Sequence, residues 1–509
     1  MKATNKAVFK EYAPNQTLLL PPSLEEIIGE NHPVHTVSSV IEKIDIAPLL
    51  KQYQGGGTSS YHPRMLLKVL VYSYLSNIYS SRKIESACKE NIHLMWLSGM
   101  SRPDHNTLNR FRSDRLKNVL KEIFAQVVML LAESGQVSLK EIYVDGTKLE
   151  AQANRYTFIW GGAIKTSKER IKKQLEELWN YTQTIAAEEL KDDSPASFEK
   201  IDAENVKKTI EKIDEALKEK QASKKVKQKL NYAKKNWPAN LEKYEQQEKI
   251  LRGRSSYSKT DTDATFMRMK EDHMKNGQLK PAYNLQLSTR EQFILNYTLH
   301  QTTTDTTTLK EHLEEFEKLY KQTPDELTAD AGYGSEENYE LLEGKDIDAY
   351  VKDNYFDKDQ RRKNKNDFSP STLHYNKEKD CYYCPMGQEM KNTGTYKRKT
   401  ANGYQQTVTR YQAHRCQGCP MRGVCHQSKY NRSIEINHRF HQLKQKARER
   451  LLSERGLYHR RKRPVDVEPV FANLKHNKNF KRFMLRSKKK VEIEVGLLAL
   501  AHNLAKLAA

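Results

Sequence analysis

A chain of 509 residues has room for two to four domains, and with 87 Lys+Arg against 65 Asp+Glu it carries a formal net charge of +22. That balance points to a polyanionic partner, nucleic acid being the commonest, because phosphates release condensed counterions when cationic side chains neutralise them; a merely soluble basic surface is the plainer alternative. No apolar run approaches the roughly 18–20 residues that span a bilayer, and MKATNKAVFKEYAPNQTLLLPP lacks the apolar core of a secretory leader, so a cytoplasmic protein with no membrane partner is expected.

Residues 1–135 predict a helical domain. RMLLKVLVYSYLSNIY (64–79) has apolar residues on most of a helical face, as a buried helix does. SSRKIESACKENIHLMWLSGM gives a second helix and a break near Gly99, with Cys88 as a core thiol. RPDHNTLNRFRSDRLKNVLKEIF then offers Asp104 or Asn106 as a cap to a helix bearing Arg110, Arg112, Arg115 and Lys117. Two short helices around a turn, the second rich in arginine, resemble a helix-turn-helix whose second helix enters a DNA groove, with Arg110 and Arg112 as DNA-binding residues. A solvated basic helix is the plain alternative.

EIYVDGTKLEAQ (141–152) changes character, since Ile142 and Val144 belong to a strand that ends at Asp145-Gly146. From 165 to 251 the chain is highly charged. Ile171, Leu175, Leu178, Thr182 and Ile185 recur at steps of four and three, as do Val206, Ile210, Ile213 and Leu217, and then Leu241, Tyr244, Glu248 and Leu251. These heptad seams predict three packed helices, with breaks at DDSPAS (192–197) and Pro238. TDTDATFMRMK (260–270) sets Asp261 and Asp263 in a polar loop, where a structural role is simpler than metal binding. PAYNLQLST (281–289) and FILNYTLHQ (293–301) read as a hairpin, and TTLKEHLEEFEKLYKQ (307–322) as an amphipathic helix capped by Asp305. LTADAGYGSEENY (327–339) reads as strand, tight turn and helix start, which puts Asp330 at a strand tip; an Asp beside Gly more often only caps its turn. IDAYVK (347–352) is a further strand.

Without 165–251 the order is three strands, helix, strand, helix, strand, the skeleton of a ribonuclease H-like domain. In that architecture the first and fourth strands are neighbours, so Asp145 and Asp330 should meet at adjacent tips, where paired carboxylates can hold Mg²⁺ or Mn²⁺. RKRPVDVEPVFANLKHNKNF (461–480) supplies a third acid: Asp466 as helix cap, Pro469 in the first turn, and Glu468 and Lys475 at i and i+7 on one face. The chain is read as an α+β / α/β multidomain protein. Its parts are a helical N-terminal DNA-binding domain (1–135), a ribonuclease H-like catalytic domain in three pieces (136–164, 252–352 and 455–509), a helical coiled-coil insertion (165–251) and a cysteine-rich, zinc-ribbon-like insertion (353–454).

Five of the six cysteines fall between 381 and 425, which in a reducing cytosol favours a metal over disulfides. CYYCPMG (381–387) and CQGCPMRGVC (416–425) hold two Cys-x-x-Cys pairs, each followed by proline and spaced as in a zinc ribbon. Cys381, Cys384, Cys416 and Cys419 are the expected ligands of one structural Zn²⁺, with Cys425 as the alternative fourth and His414 or His426 as further donors. Reduced core cysteines or a redox pair are the plainer readings. YKRKTANGYQQTVTRYQAHR, between the pairs, mixes basic and aromatic residues suited to lie along DNA.

YVDGTKLEA, TADAGYG and VEPVFANLK, with RMLLKVLVYSYLSNIYSSRKIE and RPDHNTLNRFR, closely resemble an insertion-sequence DDE transposase of the insertion sequence 1182 kind, over about residues 60–507. The resemblance implies that Asp145, Asp330 and Glu468 bind two Mg²⁺ or Mn²⁺ ions for DNA cleavage and strand transfer. It implies double-stranded DNA as partner, both terminal inverted repeats and target, a homodimer in the active complex, and a nucleoid-associated location in the cytoplasm. The family's tyrosine-arginine-glutamate-lysine signature is partly met. Glu468 and Lys475 have the expected separation, but nine residues lie between Tyr458 and Glu468, with Arg460, Arg461 and Arg463 among them; Arg461 fits the spacing from Tyr458. The rivals are a transposase-derived DNA-binding protein without catalysis and a ribonuclease H-like structure-specific nuclease.

Overall fold

The computed structural model describes residues 23–53, 60–186, 201–218, 220, 222–269, 277–361 and 368–509. The chain divides into two compact units, one of residues 1–119 and 503–509, the other of residues 120–502. Among the described residues no helix is long and apolar enough to cross a membrane.

The first unit holds α1 (Pro33–Lys43), α2 (Pro63–Leu75), α3 (Ser81–Glu90), α4 (Ile92–Leu97) and α5 (His105–Arg110). Proline opens α1 and α2, where its missing N–H is no loss, and the rings of His32 and His62 accept the N–H groups of Val34 and Arg64. α2 is the core element: Leu66, Leu67, Leu70, Val71 and Tyr74 are all buried. Asp104 caps α5 as expected, accepting from the N–H of Asn106 (2.7 Å) and Thr107 (2.9 Å). The helix then loosens into a π turn (Phe111–Arg115) and a 3₁₀ turn (Leu116–Asn118), so the arginine-bearing segment is not one regular helix. α6 (Leu120–Glu133) falls in the second unit, and the first therefore ends at 119 and not 135.

The second unit is built on a six-stranded mixed sheet. β1 (Glu141–Glu150) precedes the three inserted helices, α7 (Gly161–Ile185), α8 (Ala203–Leu217) and α9 (Lys224–Leu251). β2 (Thr265–Arg268), β3 (Leu279–Arg290), β4 (Phe293–His300), α10 (Leu309–Tyr320), β5 (Glu326–Ala329), α11 (Glu336–Gly344) and β6 (Asp348–Val351) follow. The sheet runs β2-β3-β1-β5-β6, with β4 also on β3. β1 is antiparallel to β3 and parallel to β5, which makes the first and fourth predicted strands neighbours, and β2 is an added edge strand.

The inserted helices share one core of Ile171, Leu175, Leu178, Ile210, Ile213 and Leu241, with Trp179 and Trp237. Pro238 does not break the chain there: α9 runs through it, because Trp237 and Leu241 are buried on either side and their packing offsets the roughly 3 kcal/mol a helical proline costs. Glu248 is exposed and pairs with Lys168, so the third seam ends before it. DDSPAS lies outside the described residues.

Residues 368–436 carry a five-stranded antiparallel sheet, β7 (His374–Asn376), β8 (Cys381–Tyr383), β9 (Glu389–Lys399), β10 (Gln405–Gln412) and β11 (Ser433–Ile436), in the order β11-β10-β9-β8-β7. α12 (His438–Leu452), α13 (Glu454–Ala472) and α14 (Lys488–Leu507) complete the chain. α13 starts earlier than the sequence pattern predicts: Ser453 is its cap, Pro464 and Pro469 both lie inside it, and a π turn (Asn473–Asn477) continues it. Asp466 is thus no cap but a buried mid-helix residue that accepts from the N–H of Gln292 (3.2 Å); burial pushes its carboxyl up.

Candidate active site

Pairing of Val144 with Ala329 in the β1–β5 register brings the next residues, Asp145 and Asp330, together where β5 ends and β1 runs on. Asp145 is buried, with one oxygen on the N–H of Gly146 at 2.7 Å. Asp330 uses Oδ1 to cap the following 3₁₀ turn at Gly332 N (2.9 Å), while its side chain keeps 39% of its surface exposed. The plain turn-capping reading of Asp330 is therefore true, and it uses only one of the two oxygens.

There is little room for a side chain at Gly146 on β1 or at Gly334 after β5. A Cβ at Gly146 would lie 2.4 Å from Gln286 Nε2 and 2.8 Å from Asp305 Oδ1, and one at Gly334 would lie 2.3 Å from the carbonyl of Lys352. Asp305 is not a side-chain helix cap: its Oδ1 accepts from Asn284 (2.7 Å) and Gln286 (2.8 Å) behind Gly146. Tyr333, fully buried, donates to the other side of Gln286, and burial pushes its phenol well up.

α13 crosses the face that carries Asp145. Arg455, His459 and Arg463 recur every four residues and so line one side of it. One guanidinium nitrogen of Arg463 lies 2.9 Å from Asp145 Oδ2 and 3.9 Å from Asp330 Oδ2. Contact of both carboxylates with the same atom makes them neighbours across a single small gap. At the starting ends of the same strands, Glu141 is paired in register with Glu326. Glu141, Glu326 and His459 offer donor atoms within 4.8 Å of one another, a group that could hold a cation. Arg455 already donates to Glu326 at 3.0 and 2.6 Å and also to Glu141, and Arg290 reaches Glu141 at 2.6 Å. His459 bridges Glu326 (2.9 Å) and Tyr143 (3.1 Å). Burial holds His459 below the usual histidine range although Glu326 pulls the other way. Burial by itself would raise Glu326, but Arg455 and His459 hold it below the usual carboxylate range.

The remaining expected residues are more scattered. Glu468 is exposed and has no hydrogen bond or ion pair among the described residues. On a helix of 3.6 residues per turn it stands about 140° round from Arg463, so α13 cannot face both toward Asp145. Lys475 is buried while Glu468 is not, and the π turn that holds Lys475 alters the angle the i, i+7 spacing assumes. Tyr458 and Arg461 are exposed; Arg463, not Arg461, is the arginine at the aspartates. In the first unit Arg110 is exposed, but Arg112 is buried and donates to Tyr74 Oη (3.1 Å) and the carbonyl of Tyr79 (2.7 Å). It holds a helix corner and has no surface to offer DNA. Asp261 accepts from Tyr283 (2.9 Å) and Ser487 N (3.2 Å), and Asp263 from Lys488 N (2.9 Å), a structural latch on the start of α14.

Among the cysteines, Cys88 is a core thiol, pushed up to about 11 by burial. Cys384, Cys416, Cys419 and Cys425 line one small cavity with His426; Cys381, buried on β8, does not line it. Backbone N–H groups of Gln388 and Arg432 point at the sulfurs of Cys384 and Cys416, each at 3.3 Å, and the Arg432 guanidinium lies 2.9 Å from that of Cys425. Both ring nitrogens of His426 are buried without a hydrogen-bond partner, and His414 is exposed. Among the described residues no three of these sulfur and nitrogen donors close to within 4.8 Å.

Residues 383–508 match the family model of a transposase DDE domain, and residues 22–114 match that of a transposase domain (DUF772). No curated protein and no solved structure matches the chain. The two matches support a DDE transposase, an enzyme of DNA transposition whose partner is DNA and whose class generally uses divalent metal ions. The DDE-domain match takes in the cysteine cavity and α13 with Glu468, while Asp145 and Asp330 lie outside it.

Proposed function

We propose that the protein is a DDE transposase of the insertion sequence 1182 kind, which binds the terminal inverted repeats of its element and carries out metal-dependent DNA cleavage and strand transfer. The observation that carries this reading is the juxtaposition of Asp145 and Asp330 on parallel neighbouring strands, in a sheet with the strand order of a ribonuclease H-like domain. The donor set fits the metal: hard carboxylate oxygens, those of Asp330 on a side chain 39% exposed, suit Mg²⁺ or Mn²⁺. Two such ions, when bound, supply Lewis-acid stabilisation and an activated water or 3′-hydroxyl. Asp145 and Asp330 would hold them, and Glu468 would be the third carboxylate once α13 turns in the DNA-bound complex. Exposed Arg110, Tyr458 and Arg461 contact DNA. Lys475 acts from within the helix junction, and Arg112 drops out. Work on two transposon ends calls for a homodimer, and the chain acts in the cytoplasm at the nucleoid.

Excision of a marked segment bounded by the element's ends, in Mg²⁺ or Mn²⁺, tests the reading. Wild type should cut and Asp330→Asn should not. If wild type binds the ends but never cuts, the binding-only alternative, which the exposed position of Glu468 favours, takes its place.

The cysteine cavity supports structural Zn²⁺ held by Cys384, Cys416, Cys419 and Cys425, with Cys425 in place of Cys381. Backbone N–H groups aimed at two of the sulfurs are the polarity a thiolate needs. Metal content of the purified protein should be one zinc per chain, kept in Cys381→Ser and lost in Cys425→Ser; the reverse pattern returns Cys381 to the site.

A further inference from the structure

We propose that Arg463 is a substrate-positioning residue: it serves as the internal counter-ion of Asp145 and Asp330 until divalent cations take that place, and its guanidinium then binds a phosphate oxygen of the DNA. This rests on the metal-dependent reading above.

The seat of Arg463 is the ground a cation would need. Its nitrogen approaches both carboxylates, at 2.9 and 3.9 Å, so a cation bridging the same two oxygens and this guanidinium exclude each other by charge and by space. The seat is also poorly satisfied. Nε of Arg463 is buried with no hydrogen-bond partner, whereas Arg455, one turn pair earlier, donates from both Nε and Nη2 to Glu326. A buried donor left unpaired is a standing cost that a bidentate acceptor such as phosphate, matched to the planar guanidinium, removes. The backbone next to it is loosened as well: Pro464 and Pro469 each delete one helical hydrogen bond, and the π turn at Asn473–Asn477 follows. With 19% of its side chain exposed, Arg463 is not sealed in its seat, and a turn of α13 that brings Glu468 to the pair would carry it off the carboxylates.

The sign of the metal effect separates this role from a structural one. Loss of the guanidinium should strengthen Mn²⁺ binding by roughly thirtyfold, about what a unit charge 4 Å from a divalent ion is worth in water, while weakening the grip on DNA. A residue that only braces the site would weaken both. Mn²⁺ binding to the full chain is followed by electron paramagnetic resonance for wild type, Arg463→Ala, Arg463→Lys, Asp330→Asn and, as a charge-removal control on the inserted helix α8, Lys208→Ala, with thermal unfolding in parallel. Tighter Mn²⁺ in Arg463→Ala, with a raised KM for end DNA that Arg463→Lys partly restores and Lys208→Ala does not share, is the expected result. Unchanged or weaker Mn²⁺ binding in a folded Arg463→Ala overturns the proposal, and Arg463→Gln replaces it if the alanine variant does not fold. No Mn²⁺ binding by wild type overturns the metal reading beneath it, a separate failure.

Discussion

Two carboxylate pairs lie on one face of the same two strands, four residues apart, and they are treated differently. Glu141 and Glu326, at the strand starts, are met by Arg455 and Arg290 and by His459, at 2.6–3.2 Å. Asp145 and Asp330, where β5 ends, are met by Arg463 at 2.9 and 3.9 Å, and Asp330 stays 39% exposed. Three acidic or histidine donors close to within 4.8 Å at the first pair, yet its charges are already answered by arginines, which is how a fold fastens a helix to a sheet. Proximity of ligands alone points to the first pair; the half-exposed Asp330, already met by turn and arginine on one side only, makes the second pair the one proposed for chemistry.

The comparison breaks most sharply on activity. Asp330→Asn should lower DNA cleavage by roughly a hundredfold or more, the several kcal/mol that a metal-stabilised transition state is worth, with little change in unfolding temperature. Glu326→Gln should do the opposite, leaving cleavage within a few-fold while costing about 1–2 kcal/mol in denaturant unfolding, since its partner Arg455 is partly solvated. If Glu326→Gln abolishes cutting in a protein of normal stability, the roles of the two pairs are reversed.

Gly146→Ala comes next. A methyl 2.4 Å from Gln286 Nε2 must displace that buried side chain from its bonds to Asn284 and Asp305 beside Asp145, so we expect about 1–3 kcal/mol of destabilisation together with weaker Mn²⁺ binding. Gly162→Ala, with nothing within 4 Å, is the matched control and should change neither.

The smallest effect is in pH. His459 at the first pair and fully buried His312, hydrogen-bonded to Ser288 and Thr298, are both held by burial below the usual histidine range. The unfolded chain therefore binds protons that the folded chain refuses, so stability is fully present above the unfolded value of about 6.5 and falls as pH drops below it. Urea midpoints measured from pH 7.5 to 5.5 should decline, and the decline should shrink in His459→Gln. A decline unchanged in His459→Gln would mean that His459 is charged and paired with Glu326 in the folded state.

Much of the fold was legible locally. The heptad seams at 171–185 and 206–217 are the buried faces of two inserted helices, and the alternation of strands and helices from 281 to 352 is the observed order. Asp330-Ala331-Gly332 marked a strand end, as observed, but Asp145-Gly146 did not: β1 runs on through both to Glu150, paired with β3, because pairing partners and not the local glycine decide where a strand stops. Elsewhere local rules were outvoted by packing. Pro238, Pro464 and Pro469 sit inside helices, and Asp466, a good cap by type, is buried in one.

Sequence by itself determined the strands and helices from 281 to 352 and the place of Asp330 at a strand tip, since both follow from periodicities and turn chemistry spanning a few residues. Tertiary structure alone decided that Arg112 braces a corner, that Arg463 and not Arg461 meets the aspartates, and that Cys425 and not Cys381 joins the cysteine cavity. Neighbouring arginines or cysteines are chemically alike along a chain; only the rotation of a helix or the register of a strand, set by what packs against it, distinguishes the one that points inward.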